Sequence, residues 1–186
     1  MIETEKKYRL SEAQRLFVLD ALREFGAEFV GEDFEENSIY RGGILIETNA
    51  ILRIRKTQAK TILTYKKSTH NEFNIKQRIE YETEVSNAAE LEKIIDSLGF
   101  VKVLVYEKWR KTWHFRAVEI VLDELPFGQF MEIEGAIMAI AEAEMILDIE
   151  DFEVEYETYP SLTGKFGKKN NNLIEARFDE NRKVNL

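Results

Sequence analysis

The chain has 186 residues, 44% of them apolar and 33% charged, with 35 acidic against 26 basic side chains and no cysteine. That composition suits a single globular domain over 1–186 and excludes disulfides, thiolate zinc sites and a cysteine nucleophile; the net charge of -9 argues against a surface that binds nucleic acid by phosphate neutralisation alone. No apolar run approaches the roughly 18 residues that a membrane span needs, and the N-terminus lacks the basic-then-apolar layout of a signal peptide, so a cytoplasmic protein is expected.

Residues 2–10, "IETEKKYRL", alternate as a strand would, with Glu3, Glu5 and Lys7 on one face. Residues 11–25 read as a helix: Ser11 and Gln14 can form a capping box, Leu16, Leu19, Leu22 and Phe25 share a face, and Gly26 can terminate it. Strand candidates rich in β-branched and aromatic residues follow at 28–35, 38–46, 50–57, 60–67 and 73–85. A second helix, "NAAELEKIIDSLGF", opens at Asn87 and Glu90, shows Leu91, Ile94, Ile95 and Leu98 on one face and stops at Gly99. Strands at 101–116, 118–124 and 129–135 precede a third helix over 137–147, and the polar "GKKNNN" of 167–172 reads as a mobile loop. Short connections between successive strands predict an α+β fold: a mainly antiparallel sheet with two or three helices.

Parity divides these strands into an ionic and an apolar face. Lys76, Arg78, Glu80, Glu82 and Glu84 oppose Ile75, Ile79, Tyr81 and Val85; Arg53 and Arg55 oppose Leu52 and Ile54; Thr64 and Lys66 oppose Leu63 and Tyr65. Lys108 and Arg110 oppose Trp109, Asp123 opposes Leu122, and Glu132 and Glu134 oppose Met131 and Ile133. Any one such strand is what a solvated sheet face shows. Across the set, however, acids and bases recur in like-charged clusters, which destabilise neighbouring strands unless something opposite sits among them. A sheet closed on itself, with its apolar face outward beneath the helices and its charged face lining a water-filled bore, resolves the pattern.

Guanidinium pairs such as Arg53 and Arg55 suit bidentate grip on phosphate oxygens, and clustered carboxylates without thiols suit a hard cation, Mg²⁺ or Mn²⁺. A metal-bound polyphosphate joins the two requirements. The chain has no GxxxxGK[ST], GxGxxG or GxSxG motif, and His70 and His114 lie far apart without an HExxH context, so each reads as a surface or packing residue. Trp109 and Trp113 read as core aromatics.

Glu3, Glu5 and Lys7 as E-x-E-x-K, then Arg53 and Arg55, Lys66 in "TYKK", the "RIEYETE" strand, Lys108 and Arg110, and "LDELPFGQFMEIE" with Asp123, Glu132 and Glu134 come in the order of a known family. Over about residues 1–165 the chain resembles the CYTH superfamily of triphosphate tunnel metalloenzymes, which takes in class IV adenylyl cyclases and thiamine triphosphatases. The resemblance implies an eight-stranded antiparallel barrel whose tunnel binds triphosphate. Lys7, Arg53, Arg55, Lys66, Lys108 and Arg110 would contact the triphosphate, with Lys165 a further candidate. Glu3, Glu5, Glu132 and Glu134 would hold one or two divalent metals, with Asp123 a further ligand or a partner to one. Glu3, Glu5 and Lys7 would be the catalytic group, and Arg78, Glu80 and Glu82 would line the tunnel. The stretch "EDFEENSIYRGG" departs from the tyrosine, phenylalanine and aspartate cluster of many cyclase members, and "TYPSLTGKFGKK" from the family's terminal serine-tyrosine motif.

The expected function is a metal-dependent hydrolase of inorganic or organic triphosphate. The alternatives are a class IV adenylyl cyclase making cyclic AMP and pyrophosphate, and a non-catalytic polyphosphate-binding module. A small triphosphate ligand is expected, with no nucleic-acid or membrane partner; a homodimer is compatible.

Overall fold

The computed structural model describes residues 4–69 and 77–179. Strand β1 (Glu5–Leu10) leads into helix α1 (Glu12–Glu24), the long strand β2 (Glu28–Arg41), a short helix α2 (Gly43–Glu47), and strands β3 (Ala50–Lys56), β4 (Thr61–Thr69) and β5 (Gln77–Glu84). Helix α3 (Ala88–Ser97) precedes β6 (Val101–Phe115), β7 (Val118–Leu125) and β8 (Gly128–Gly135); α4 (Ile137–Leu147), α5 (Tyr159–Phe166), β9 (Lys168–Asn170) and β10 (Leu173–Ala176) complete the order. Among the described residues no helix is long and apolar enough to cross a membrane.

The strands are hydrogen-bonded in the order β1-β8-β7-β6-β2-β3-β4-β5, with β10 on β6 and β9 on β10. Pairs β1–β8, β7–β8, β6–β7, β2–β3, β3–β4 and β4–β5 are antiparallel, while β10 runs parallel to β6. The α+β antiparallel architecture is therefore as the sequence predicts. Among the described residues the path runs from β1 to β5, and the expected closure into a barrel is not among its pairings.

The chain divides into two compact units, one of Met1–Ile2, Glu35–Glu107 and Thr158–Leu186, the other of Glu3–Phe34 and Lys108–Glu157. Each has its own core. In the second unit Tyr8, Trp113, Phe115, Ile120, Leu122, Met131 and Ile133 from the strands pack with Val18 and Leu22 of α1 and Ile140 and Leu147 of α4. In the first, Tyr40, Ile54 and Ile95 are buried together, with Leu52, Leu63, Leu91 and Phe100 against them.

Helix α1 starts at the expected capping box: Ser11 Oγ accepts from Gln14 N, and Gln14 Oε1 accepts from Ser11 N. Its buried stripe is Val18, Ala21 and Leu22, with Leu19 packed against the core; of the expected face Leu19 and Leu22 are covered, while Leu16 and Phe25 are exposed. The i, i+3, i+4 spacing from Val18 selects that stripe. Helix α3 is capped by Asn87, whose side chain accepts from Glu90 N, and buries Ile95, leaving Ile94 and Leu98 exposed.

Three further differences have local causes. The expected strands 28–35 and 38–46 are one strand ended at Gly42, whose φ of 141° belongs to glycine and where a Cβ would lie 2.9 Å from the Gly99 carbonyl oxygen. Helix α5 was not expected; Thr158 caps it, with a proline in its first turn. Residues 168–176, expected to begin as a loop, form the β9–β10 hairpin, which turns through Asn171 at φ 54°. Beyond β10, Phe178 N donates to Glu107 and Arg177 pairs with Glu107, Glu36 and Glu175.

Candidate active site: two charged sheet faces

Strand register decides which side chains share a face. In the second unit Glu5 lies opposite Glu134 and Lys7 opposite Glu132; Glu119 lies opposite Glu134, and Arg110 opposite Asp123. Glu5, Lys7, Glu132, Glu134, Asp123 and Arg110 are thus on one face by pairing, and Lys108 joins them two residues from Arg110. The opposite face carries Tyr8, Met131, Ile133, Ile120 and Leu122 into the core. The expected separation of ionic from apolar face holds in this unit.

On the ionic face the contacts are dense. Arg110 donates from Nε to Asp123 Oδ1 at 2.7 Å and from Nη2 to Asp123 Oδ2 at 2.5 Å, and Nη2 also reaches Glu132 Oε2 at 2.7 Å. Lys108 Nζ donates to Asp123 Oδ2 at 3.2 Å. Lys7 Nζ stands 3.1 Å from Glu132 Oε1 and donates to the Glu157 carbonyl at 3.2 Å. Burial opposes ionisation of Glu132, but Arg110, Lys7 and Lys108 outweigh both burial and the repulsion of Asp123 and hold its carboxyl below the usual range. On the reverse side of β1, Tyr8 Oη donates to Glu144 Oε1 of α4 at 2.6 Å and Lys6 pairs with the same oxygen, which fixes the side of the strand that Glu5 and Lys7 occupy.

The first unit repeats the pattern. Asn37 lies opposite Arg55 and Ile39 opposite Arg53; Arg53 lies opposite Thr64, and Lys66 opposite Glu80. Arg53 Nη2 donates to Thr64 Oγ1 and Glu82 Oε1, both at 3.2 Å, and Lys66 Nζ stands 2.5 Å from Glu80 Oε2. Burial works against the Arg53 charge, yet Tyr106, Glu80, Glu35 and Glu82 raise its pKa. The Nε atoms of Arg53 and Arg55 are buried without a hydrogen-bond partner. Two guanidinium groups on one strand face, Arg53 and Arg55, suit an anion with several oxygens.

Of the remaining expected residues, Arg78 is described as a β5 position opposite Ser68, on the parity of Glu80 and Glu82. Lys165 is exposed in the last turn of α5. Glu3 and His70 lie outside the described residues. His114 is on the surface, 3.8 Å from Glu119. Trp113 is buried against Phe29, and Trp109 packs on Phe34. Glu35, Asn37 and Tyr106, all buried on the first unit's ionic side, were missed; continuing the β2 alternation through 36–37 would have found the first two.

The donor chemistry fits a hard cation: carboxylates on adjacent strands, Glu5 opposite Glu134, both exposed, with neither thiolate nor imidazole between them. Like charges opposed across a strand pair favour a cation near them. Asp123 and Glu132 are already engaged by Lys108, Arg110 and Lys7, and among the described residues no three acidic or histidine side chains converge closely enough to hold a metal.

A CYTH domain model matches residues 1–170. Among solved structures, the PH1819 protein from Pyrococcus horikoshii OT3 is 28% identical at TM-score 0.71, covering 88% of this chain and 99% of that one. The PH1012 protein from the same organism is 23% identical at TM-score 0.73, covering 86% and 98%. HpAC1 from Hippeastrum, an adenylyl cyclase candidate with a dominant triphosphatase activity, shares the fold at 18% identity and TM-score 0.67, covering 89% and 96%. No curated protein matches the chain.

Proposed function

Because the chain belongs to the CYTH domain family, we propose that it is a divalent-metal-dependent phosphohydrolase acting on inorganic triphosphate or an organic triphosphate, nucleoside or thiamine. The observation that carries this reading is the cluster of half-buried bases on one face of the first unit, Arg53, Arg55 and Lys66.

In this reading Arg53, Arg55, Lys66, Arg78, Lys7, Lys108, Arg110 and Lys165 take the phosphate oxygens. Bidentate geometry at the arginines fixes the orientation of the chain of phosphates. Their charges stay in place through the reaction and stabilise what develops on the transferred phosphoryl group. Glu3, Glu5 and Glu134, with Asp123 and Glu132, would hold Mg²⁺ or Mn²⁺. When bound, the ion supplies charge neutralisation at the phosphoryl oxygens and acidifies water. Glu80 and Glu82 hold Lys66 and Arg53 in place through ion pairs.

The test is product analysis after incubating the protein with tripolyphosphate, ATP and thiamine triphosphate, each with Mg²⁺ and with Mn²⁺. Phosphate release supports the reading. Cyclic AMP with pyrophosphate from ATP would make the chain a class IV adenylyl cyclase instead, and binding without turnover would make it a polyphosphate-binding module.

A further inference from the structure

Glu35 has no obvious place in a site built for anions. It is 3% exposed on β2, and its neighbour two residues on, Asn37, is 0% exposed; Asn37 lies directly opposite Arg55. A carboxylate among phosphate-binding bases repels the ligand, so its retention in the wall needs a compensating task.

One oxygen shows the task. Glu35 Oε2 accepts from Asn37 Nδ2 at 3.2 Å and stands 3.7 Å from Arg55 Nε. The carboxylate dictates the amide's orientation, because only the NH₂ end can donate to it. The Asn37 amide therefore fixes the carboxylate from one side, and the arginine's inner nitrogen approaches the same oxygen from another. The contact to Arg55 is at ion-pair distance but too long for a hydrogen bond, which is why Nε has no bond partner. The end edge of a guanidinium, formed by its two Nη groups, is distinct from Nε, so a carboxylate held at Nε leaves that edge to grip a phosphate with two parallel bonds.

We propose that Glu35 is a positioning residue: with Asn37 fixing its carboxylate, it holds Arg55 by the Nε side so that the Nη pair is presented to phosphate oxygens. This rests on the triphosphate reading above. The sign of one substitution separates it from simple electrostatics. If Glu35 acted only as a nearby negative charge, neutralising it would tighten the binding of an anion. If it positions Arg55, neutralising it weakens binding.

The experiment measures tripolyphosphate binding by calorimetry and turnover with Mg²⁺ for the wild type, Glu35→Gln, Arg55→Ala and the double variant. Glu35→Gln is expected to raise Kd and KM about tenfold with kcat changed less than about threefold, and to add no further loss in the Arg55→Ala background. Asn37→Ser, which frees the shared oxygen, should raise Kd about threefold and likewise lose its effect beside Arg55→Ala; it carries the test if Glu35→Gln does not fold. Unchanged or tighter binding by Glu35→Gln, a loss of melting temperature with Kd and KM intact, or losses that add in the double variant would each overturn the proposal. A wild type that binds no tripolyphosphate would overturn the triphosphate reading and this inference with it. A wild type that binds while the losses add overturns this inference alone.

Discussion

Arg110 grips Asp123 with two parallel bonds, Nε to Oδ1 and Nη2 to Oδ2, on a carboxylate whose side chain is wholly buried. Lys108 holds the same carboxylate from the neighbouring position on β6. The geometry makes Asp123 the anchor of two bases, so it steers them before it can serve any metal. Asp123→Asn would leave both charges facing a neutral amide. Because uncompensated buried charge is costly, the variant should lose about 3 kcal/mol of stability, read as a lower midpoint in urea unfolding. An unchanged midpoint would show that solvent already compensates the two bases.

Glu5 and Glu134 lie opposite each other on β1 and β8. If they share a cation, Glu5→Gln should raise the Mg²⁺ concentration needed for half-maximal turnover by about tenfold while the rate at saturating Mg²⁺ falls less, since one charged oxygen ligand is lost from the set. A full Mg²⁺ titration of the variant checks this; a curve superimposing on that of the wild type would remove Glu5 from the metal site.

Glu92 of α3 accepts from Lys56 at 2.6 Å and from Lys102 at 3.0 Å. Burial opposes its ionisation, but the two lysines outweigh burial and lower its pKa from 4.5. A carboxyl whose folded pKa is depressed stabilises the fold above its unfolded pKa, and that stability is lost as pH falls through the folded value. Melting temperature should therefore fall with pH below about 4.5, and Glu92→Gln should remove part of that slope while costing about 1 kcal/mol near neutral pH, the half-exposed pairs being screened by solvent. Equal slopes for variant and wild type below that pH would contradict the assignment.

The ionic faces were legible because strand alternation has a period of two and the charges keep to it: Lys108 and Arg110, Arg53 and Arg55, Glu132 and Glu134 each fall on the side that the register confirms. Glu35 ends the expected strand 28–35 and Asn37 falls in the break at 36–37, where β2 in fact runs on to Arg41, so their shared face is not visible in the sequence. The polarity of 36–37 resembles a turn, and what keeps Asn37 in a strand is pairing with Arg55, a partner distant in sequence. Helix α5 was masked by Gly164 and Pro160, residues that weaken helix propensity while leaving the Thr158 cap as the surviving signal. The α1 and α3 faces were legible in part: Leu19, Leu22, Leu91 and Ile95 are covered, while Leu16, Ile94 and Leu98 stay exposed, because hydrophobicity alone cannot say which of two adjacent helical faces is covered.

Lys7 is almost wholly buried beside Glu132, and its Nζ also donates to the Glu157 carbonyl. The account's central claim is that the bases of these faces hold a triphosphate, and the rate of phosphate release from tripolyphosphate with saturating Mg²⁺, compared between the wild type, Lys7→Ala and Arg55→Ala, tests it most directly. Metal-dependent turnover by the wild type, with kcat/KM falling at least about tenfold in each variant, is the predicted result. Wild-type rates in both variants, or a wild type inert to tripolyphosphate, ATP and thiamine triphosphate alike, would contradict it.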